Sequence, residues 1–316
     1  MLPTYPDPSA EFSAVKPTTT AGRFVQFPIT RLIIALVFLY LPFGVGLLLK
    51  YFRDNYVPDE WADTGRVVGS IIVIATLLYT YHLYCRFVER RKAVELLSKG
   101  AVPEFINGLG LGAGLVGLST AVVMLLASVT IQSGSENWTT LFTQFFLFAG
   151  SALWEEILFR LILFRLTEEW LGSWPAILIQ AVLFGFAHGG NPGATVWSSV
   201  SIVLSAGALL SAIFMLTRRI WMVWGVHIFW NYFQSAIMGL PVSGGESSGI
   251  LSTQLTGPTW ITGGEFGIEA SALTVLIVLV TGIVFFRIVI LNRRVVLSLR
   301  SRRALFAKFA AGEMTD

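Results

Sequence analysis

The chain has 316 residues, 54% of them hydrophobic and only 13% charged, against about 25% charged in an ordinary soluble domain. Apolar runs of about 20 residues recur along the whole length, the mark of a polytopic helical membrane protein held in a lipid bilayer. The net charge of +3 comes from arginines clustered between those runs and reads as topology, not as nucleic-acid binding. The single cysteine, Cys85, excludes an intrachain disulfide and a cysteine-based zinc site.

Residues 1–28 are rich in Pro, Thr and Ser and lack an apolar stretch, so they are expected to form a disordered tail and not a signal peptide. Eight apolar spans follow: Leu32–Leu49, Val67–Tyr84, Leu109–Val129, Leu141–Leu163, Trp174–Ala187, Val196–Leu216, Trp221–Met238 and Ala270–Leu291. The fold class is therefore all-α, a transmembrane helical bundle of about eight spans. Five segments follow from this reading. They are the tail 1–28, N-terminal spans over 29–137, a core of spans over 138–240, a loop and last span over 241–292, and a basic tail over 293–316.

Orientation comes from the connections. Arg86, Arg90, Arg91, Lys92 and Lys99 follow span two, Arg165 follows span four, Arg218 and Arg219 follow span six, and six further basic residues lie in the C-terminal tail. Residues 131–137, 189–195 and 240–269 contain no Lys or Arg. Only Lys50, Arg53 and Arg66 break the alternation, which puts both termini in the cytoplasm by the positive-inside rule. The loop 240–269 is then extracytoplasmic and is expected to be a surface cap. In span three, Gly108, Gly110, Gly112, Gly114 and Gly117 give the small-residue spacing that lets helices approach closely.

Charged residues inside a span cost roughly 2.5 to 3.5 kcal/mol each on insertion scales and are functional candidates by default. Span four carries Glu155, Glu156 and Arg160, span five closes on His188, and span seven holds His227 and Asn231. Glu156 and Arg160 are four apart and share a helix face, so an ion pair is expected. Glu155 is rotated about 100° away and is left to face a cavity. His227 and Asn231 are likewise four apart. His82, beside Tyr81 and Tyr84, reads as an interfacial residue. Counted from the cytoplasmic ends of their spans at about 1.5 Å per residue, His227 lies about 9 Å deep, Asn231 about 15 Å and His188 about 21 Å. Convergence of these groups would make a cavity opening to the cytoplasm.

A glutamate and a histidine around one water can remove its proton and create a nucleophile. A second histidine and an amide can stabilise the oxyanion of a tetrahedral intermediate, at about 3 kcal/mol per donor. Those are the parts of a peptide hydrolase without a serine or cysteine nucleophile. The same Glu155, His188 and His227 could instead hold zinc, which lowers the pKa of bound water to about 7; residue types leave both versions open.

EEILFR, FGFAH and HIFWN resemble the EExxxR, FxxxH and HxxxN motifs of the CPBP group, which contains the type II CAAX prenyl endopeptidases and their bacterial relatives. The basic stretch ERRKAVEL and the late loop GPTWITGGEFGIEAS are similar to bacterial members. The resemblance implies that Glu155 is the general base with His188, that His227 and Asn231 stabilise the oxyanion, and that Glu156 and Arg160 organise the helix. It also implies a peptide or protein substrate entering from the cytoplasmic side of a bacterial plasma membrane, by a metal-dependent or metal-free route. Two other functions use the same residues: a non-catalytic membrane scaffold or immunity protein of the same fold, and a proton-coupled transporter. The transporter reading expects internal repeat symmetry, and the sequence shows none. HExxH, a pair of intramembrane aspartates and a rhomboid-like GxSG are all missing from the sequence.

Overall fold

The computed structural model describes residues 19–134 and 137–310. The first 18 residues of the expected disordered tail and the last six of the basic tail lie outside the described residues. The rest of the predicted tail is ordered, because Thr19 caps a short helix, α1 (Thr20–Val25), and Pro28 opens the next with its fixed φ already suited to a first turn.

The described chain is helical almost throughout. It comprises α2 (Pro28–Tyr56), α3 (Ala62–Leu83), α4 (Ala101–Leu126), α5 (Trp138–Glu156), α6 (Arg165–Leu171), α7 (Ser173–Ala187), α8 (Val196–Ile202), α9 (Ala208–Thr217), α10 (Ile220–Tyr232), α11 (Thr259–Thr262), α12 (Ala272–Leu291) and α13 (Leu299–Ala310). Four π-helical stretches join or extend these helices: Tyr84–Glu89 after α3, Ile157–Phe164 between α5 and α6, Val203–Gly207 between α8 and α9, and Phe233–Ile237 after α10. Five helices are long and apolar enough to cross a membrane: Pro28–Tyr56, Asp59–Glu89, Ala101–Leu126, Val196–Thr217 and Ala272–Leu291. The other three expected spans are helical too, but α7 has 15 residues, and α5 and α10 carry the polar groups of the site. The expected third span also ends early. After Leu126 the chain turns into strand β1 (Ser128–Ser133), which pairs antiparallel with β2 (Leu251–Thr256), Ser128 opposite Thr256 and Ser133 opposite Leu251. Alternating Val129 and Ile131 suit a two-stranded ribbon.

α10 lies at the centre, against α4 on one side and α5 on another. Its contact with α4 is backbone to backbone. A Cβ on Gly108 would stand 2.3 Å from the Met222 carbonyl, and one on Gly112 would stand 2.7 Å from that of Val226. Gly110, Gly114 and Gly117 face open space, so the small-residue run serves packing at two of its five positions. Ile220, Val223 and Val226 of α10 join Leu153, Ile157, Leu161, Ile213 and Phe214 in the main apolar core.

The arginines counted above as topology signals do more than mark a side. Arg165 and Arg218 are fully buried, as is Arg31 from α2 at 1% exposure. Glu89 receives Arg165 at 2.5 Å, Arg91 at 2.7 Å and Arg31 at 3.4 Å, while Arg218 pairs with Glu168. At one end of the bundle the basic connections are thus woven together by buried ion pairs. His82 is exposed on α3.

Candidate active site

The geometry of α5 follows from the one-residue offset of Glu155 and Glu156, about 100° around the helix. Glu156 is fully buried and Glu155 points elsewhere, 23% exposed. Arg160 reaches back one turn to Glu156, Nη1 to Oε1 at 3.0 Å, which is the expected pair. Its Nη2 donates to the carbonyl of Ala206 at 3.2 Å, and its guanidinium lies 4.3 Å from the ring centre of Phe184. The ion pair therefore ties α5 to the π-helical stretch Val203–Gly207 and to α7. π-Helical turns of this kind occur often at functional sites, and here one directly follows the two glutamates and another begins two residues after Asn231.

Glu156 also receives Nδ1–H of His227 at 2.7 Å. His188, at the end of α7, spends its own Nδ1–H on the carbonyl of Phe184 at 2.8 Å. A ring whose Nδ1–H is committed in this way keeps a fixed orientation and presents Nε2 to its surroundings. Both Nε2 atoms face one atom, Oε2 of Glu155, each at 3.8 Å. That distance is too long for a hydrogen bond and suits groups that share a water. Oε2 is itself buried and takes no hydrogen bond from the described residues. Phe184 packs edge-on against both rings, at 5.0 Å from His188 and 6.2 Å from His227, and walls them together.

These groups line a cavity of about 200 Å³ with Asn231, Trp230 and Ser205. Six expected residues thus meet in one place: Glu155, His188, His227 and Asn231 on the cavity, with Glu156 and Arg160 as the buried support behind them. Leu209, Leu210 and Val226 add an apolar part to the lining. It is also lined by Asn191, Val242, Ser243 and Glu269, from the two connections without Lys or Arg. The loop after α10 is therefore not the surface cap expected. Phe266, Ile268 and Ala270 are buried, and the loop folds inward to form the wall.

Glu269 and Ser243 were not legible as site residues. Glu269 accepts from the Ser243 backbone N–H at 2.6 Å and from its hydroxyl at 2.9 Å. Burial pushes the Glu269 carboxyl upward from the usual glutamate range. The signal available was an acid in a Gly-rich loop directly before the last span.

Tetrahedral zinc with ligands at about 2.1 Å separates neighbouring donors by about 3.4 Å, less than the 3.8 Å found here. Among the described residues no group of three or more His, Cys, Asp or Glu side chains is arranged to hold a metal ion. Glu155, His188 and His227 are the residues that would hold zinc, and they would have to draw together by a few tenths of an ångström to do so.

A family model for the Rce1-like type II CAAX prenyl endopeptidases matches residues 137–233. No curated protein and no solved structure matches the chain. The matched segment runs from the cap of α5 into the π-helical turn after Asn231, so it contains every motif residue and stops before Ser243 and Glu269. The chain thus reads as a multi-pass membrane protein with five helices long and apolar enough to cross a bilayer, and its segment 137–233 is similar to the Rce1-like type II CAAX prenyl endopeptidases.

Proposed function

We propose that the protein hydrolyses a peptide bond in this cavity by water activated without a serine or cysteine nucleophile. The observation that carries the reading is the convergence of two imidazole Nε2 atoms on one unpartnered carboxylate oxygen of Glu155. Water held there donates one O–H to Glu155 and meets His188. As the oxygen attacks the scissile carbonyl, its proton passes to Glu155, and the carbonyl becomes an oxyanion facing the Asn231 amide and the imidazolium form of His227, which keeps Nδ1–H on Glu156 and donates from Nε2–H. Donors fixed at the place where charge develops lower the barrier because they need no reorganisation. Glu156 holds His227 in orientation, and Arg160 compensates the buried charge of Glu156.

The substrate enters from the side of the basic connections, the cytoplasmic side by the positive-inside rule. Two features support this: the loop 240–270 supplies Val242, Ser243 and Glu269 to the lining of the cavity, and Leu209 and Leu210 line it from α9, the helix that leads to the basic pair Arg218 and Arg219. Both termini are cytoplasmic and the membrane is a bacterial plasma membrane, in keeping with the similarity of ERRKAVEL and the late loop to bacterial relatives. The scaffold reading loses ground because no motif residue is replaced.

The test is cleavage of a proteome-derived peptide library by detergent-purified protein, with Glu155→Gln and His227→Ala beside the wild type and each with and without a chelator. Loss of cleavage in both variants supports the hydrolase. Wild-type cleavage abolished by chelator and restored by zinc would replace the metal-free route with one in which Glu155, His188 and His227 draw together around the ion. Cleavage that survives both substitutions would refute the site.

A further inference from the structure

Hydrolysis of an amide needs two proton transfers, and the residues assigned above account for one. Glu155 takes a proton from water, but the leaving nitrogen must gain one before the C–N bond can break. The cavity holds a second carboxyl on a different wall. Glu269 stands in the short 3-10 turn Ile268–Ala270 just before α12, outside the matched family segment, and lines the same 200 Å³ space as Glu155, His188 and His227.

Its setting is built, not incidental. Ser243 delivers both its N–H and its hydroxyl to Oε2, which leaves Oε1 for the cavity. Ser243 sits at φ 48°, a left-handed conformation uncommon for a residue with a side chain. It is held there from two sides: its carbonyl accepts Asn191 Nδ2–H at 2.8 Å, and the next residue, Gly244, donates to Phe266 O at 2.9 Å. A strained residue kept in place by its neighbours is a frequent companion of a functional group.

We infer that Glu269 is a catalytic acid that protonates the leaving nitrogen. The inference rests on the hydrolase reading above. In the step, the C–N bond breaks, its electron pair stays with nitrogen, and nitrogen takes the proton from Glu269 Oε1 while the carbonyl re-forms. The products are a carboxylic acid and an amine, with Glu155 protonated and Glu269 ionised; proton return from Glu155 to Glu269 resets the site. His188, His227 and Glu155 are the titratable groups sharing the cavity with it. Burial favours the protonated form that a general acid requires.

The experiment compares two probes: a peptide that the wild type cleaves, and the p-nitrophenyl ester of its acyl half. p-Nitrophenolate departs without a proton, so ester cleavage needs the base and not the acid. Glu269→Gln, which keeps the shape and can still accept from Ser243, should lower kcat for the peptide about 100-fold or more with KM little changed, and leave the ester within about threefold. The alkaline limb of the peptide pH profile should vanish with it. Ser243→Ala should show the same split in weaker form, and serves if the first variant does not fold. Glu155→Gln should lose both probes. Equal loss of peptide and ester cleavage in Glu269→Gln, or loss of neither, would overturn the assignment. Retention of both by Glu155→Gln would overturn the base instead, whatever Glu269→Gln shows.

Discussion

His188 and His227, on different helices and 39 positions apart in the chain, present their Nε2 atoms to the same carboxylate oxygen at the same distance, 3.8 Å from Glu155 Oε2. Neither imidazole is oriented by Glu155. Each is held from behind, His227 by Glu156 and His188 by the Phe184 carbonyl. The front of the site is thus free to bind while the back keeps it rigid, as a preorganised catalytic group requires.

Glu155 and Glu156 are therefore expected to fail differently. Glu155→Gln removes the proton acceptor and should lower kcat by about 10²–10⁴-fold with thermal stability unchanged. His227→Ala should cost about 10²–10³-fold through the lost oxyanion donor. Cleavage rates read beside thermal unfolding in detergent check both, and a Glu155→Gln variant with wild-type kcat would sink the assignment of the base.

The Glu156–Arg160 pair has no exposed surface, so breaking it strands a buried charge. Arg160→Ala should cost about 3–5 kcal/mol of stability. The double change Glu156→Leu with Arg160→Met should cost less than the sum of the single ones, because no charge is stranded. That double variant should still be inactive, since His227 loses its partner. An unaltered unfolding midpoint in Arg160→Ala would mean that the pair carries little of the fold.

The residues that were legible in the sequence share a cause. A charge inside an apolar run is costly wherever it occurs, and spacing of four fixes which charges share a face; Glu155, Glu156, Arg160, His188, His227 and Asn231 followed from those two rules and the motif order. Glu269 did not follow, because its place depends on a loop turning back into the bundle through the positive φ of Ser243 and tight turns such as Gly263 and Gly267. The buried pairs of Glu89 with Arg31 and Arg165 were illegible for a related reason. The positive-inside count treats each arginine alone, whereas these side chains come from helices distant in sequence and meet only on folding.

The glycines of α4 separate packing from composition. Gly108→Ala and Gly112→Ala would drive a methyl group into the carbonyls of Met222 and Val226. α10 must shift to accept it, so both stability and kcat should fall as His227 is displaced, with the kcat loss about tenfold or more for a misplacement near 1 Å. Gly110→Ala meets nothing within 4 Å and should be neutral or stabilising by up to about 1 kcal/mol, the helix propensity difference. Thermal unfolding and cleavage of the three variants decide this, and equal behaviour of all three would show that close approach of α4 and α10 is not needed.

The raised pKa of Glu269 also bears on stability. A carboxyl whose pKa is higher in the folded than in the unfolded state binds its proton more tightly when folded. Its contribution is fully present below the unfolded value, near the ordinary 4.5, and is lost as pH rises through the folded value. Wild-type protein should therefore lose stability as pH rises above about the glutamate range, and Glu269→Gln, which cannot ionise, should show a shallower loss over the same window. Thermal midpoints of the two proteins in detergent, measured from acid to neutral pH, test this. Parallel curves would show that Glu269 ionises at no cost, and the enclosed, desolvated setting argued for it would be wrong.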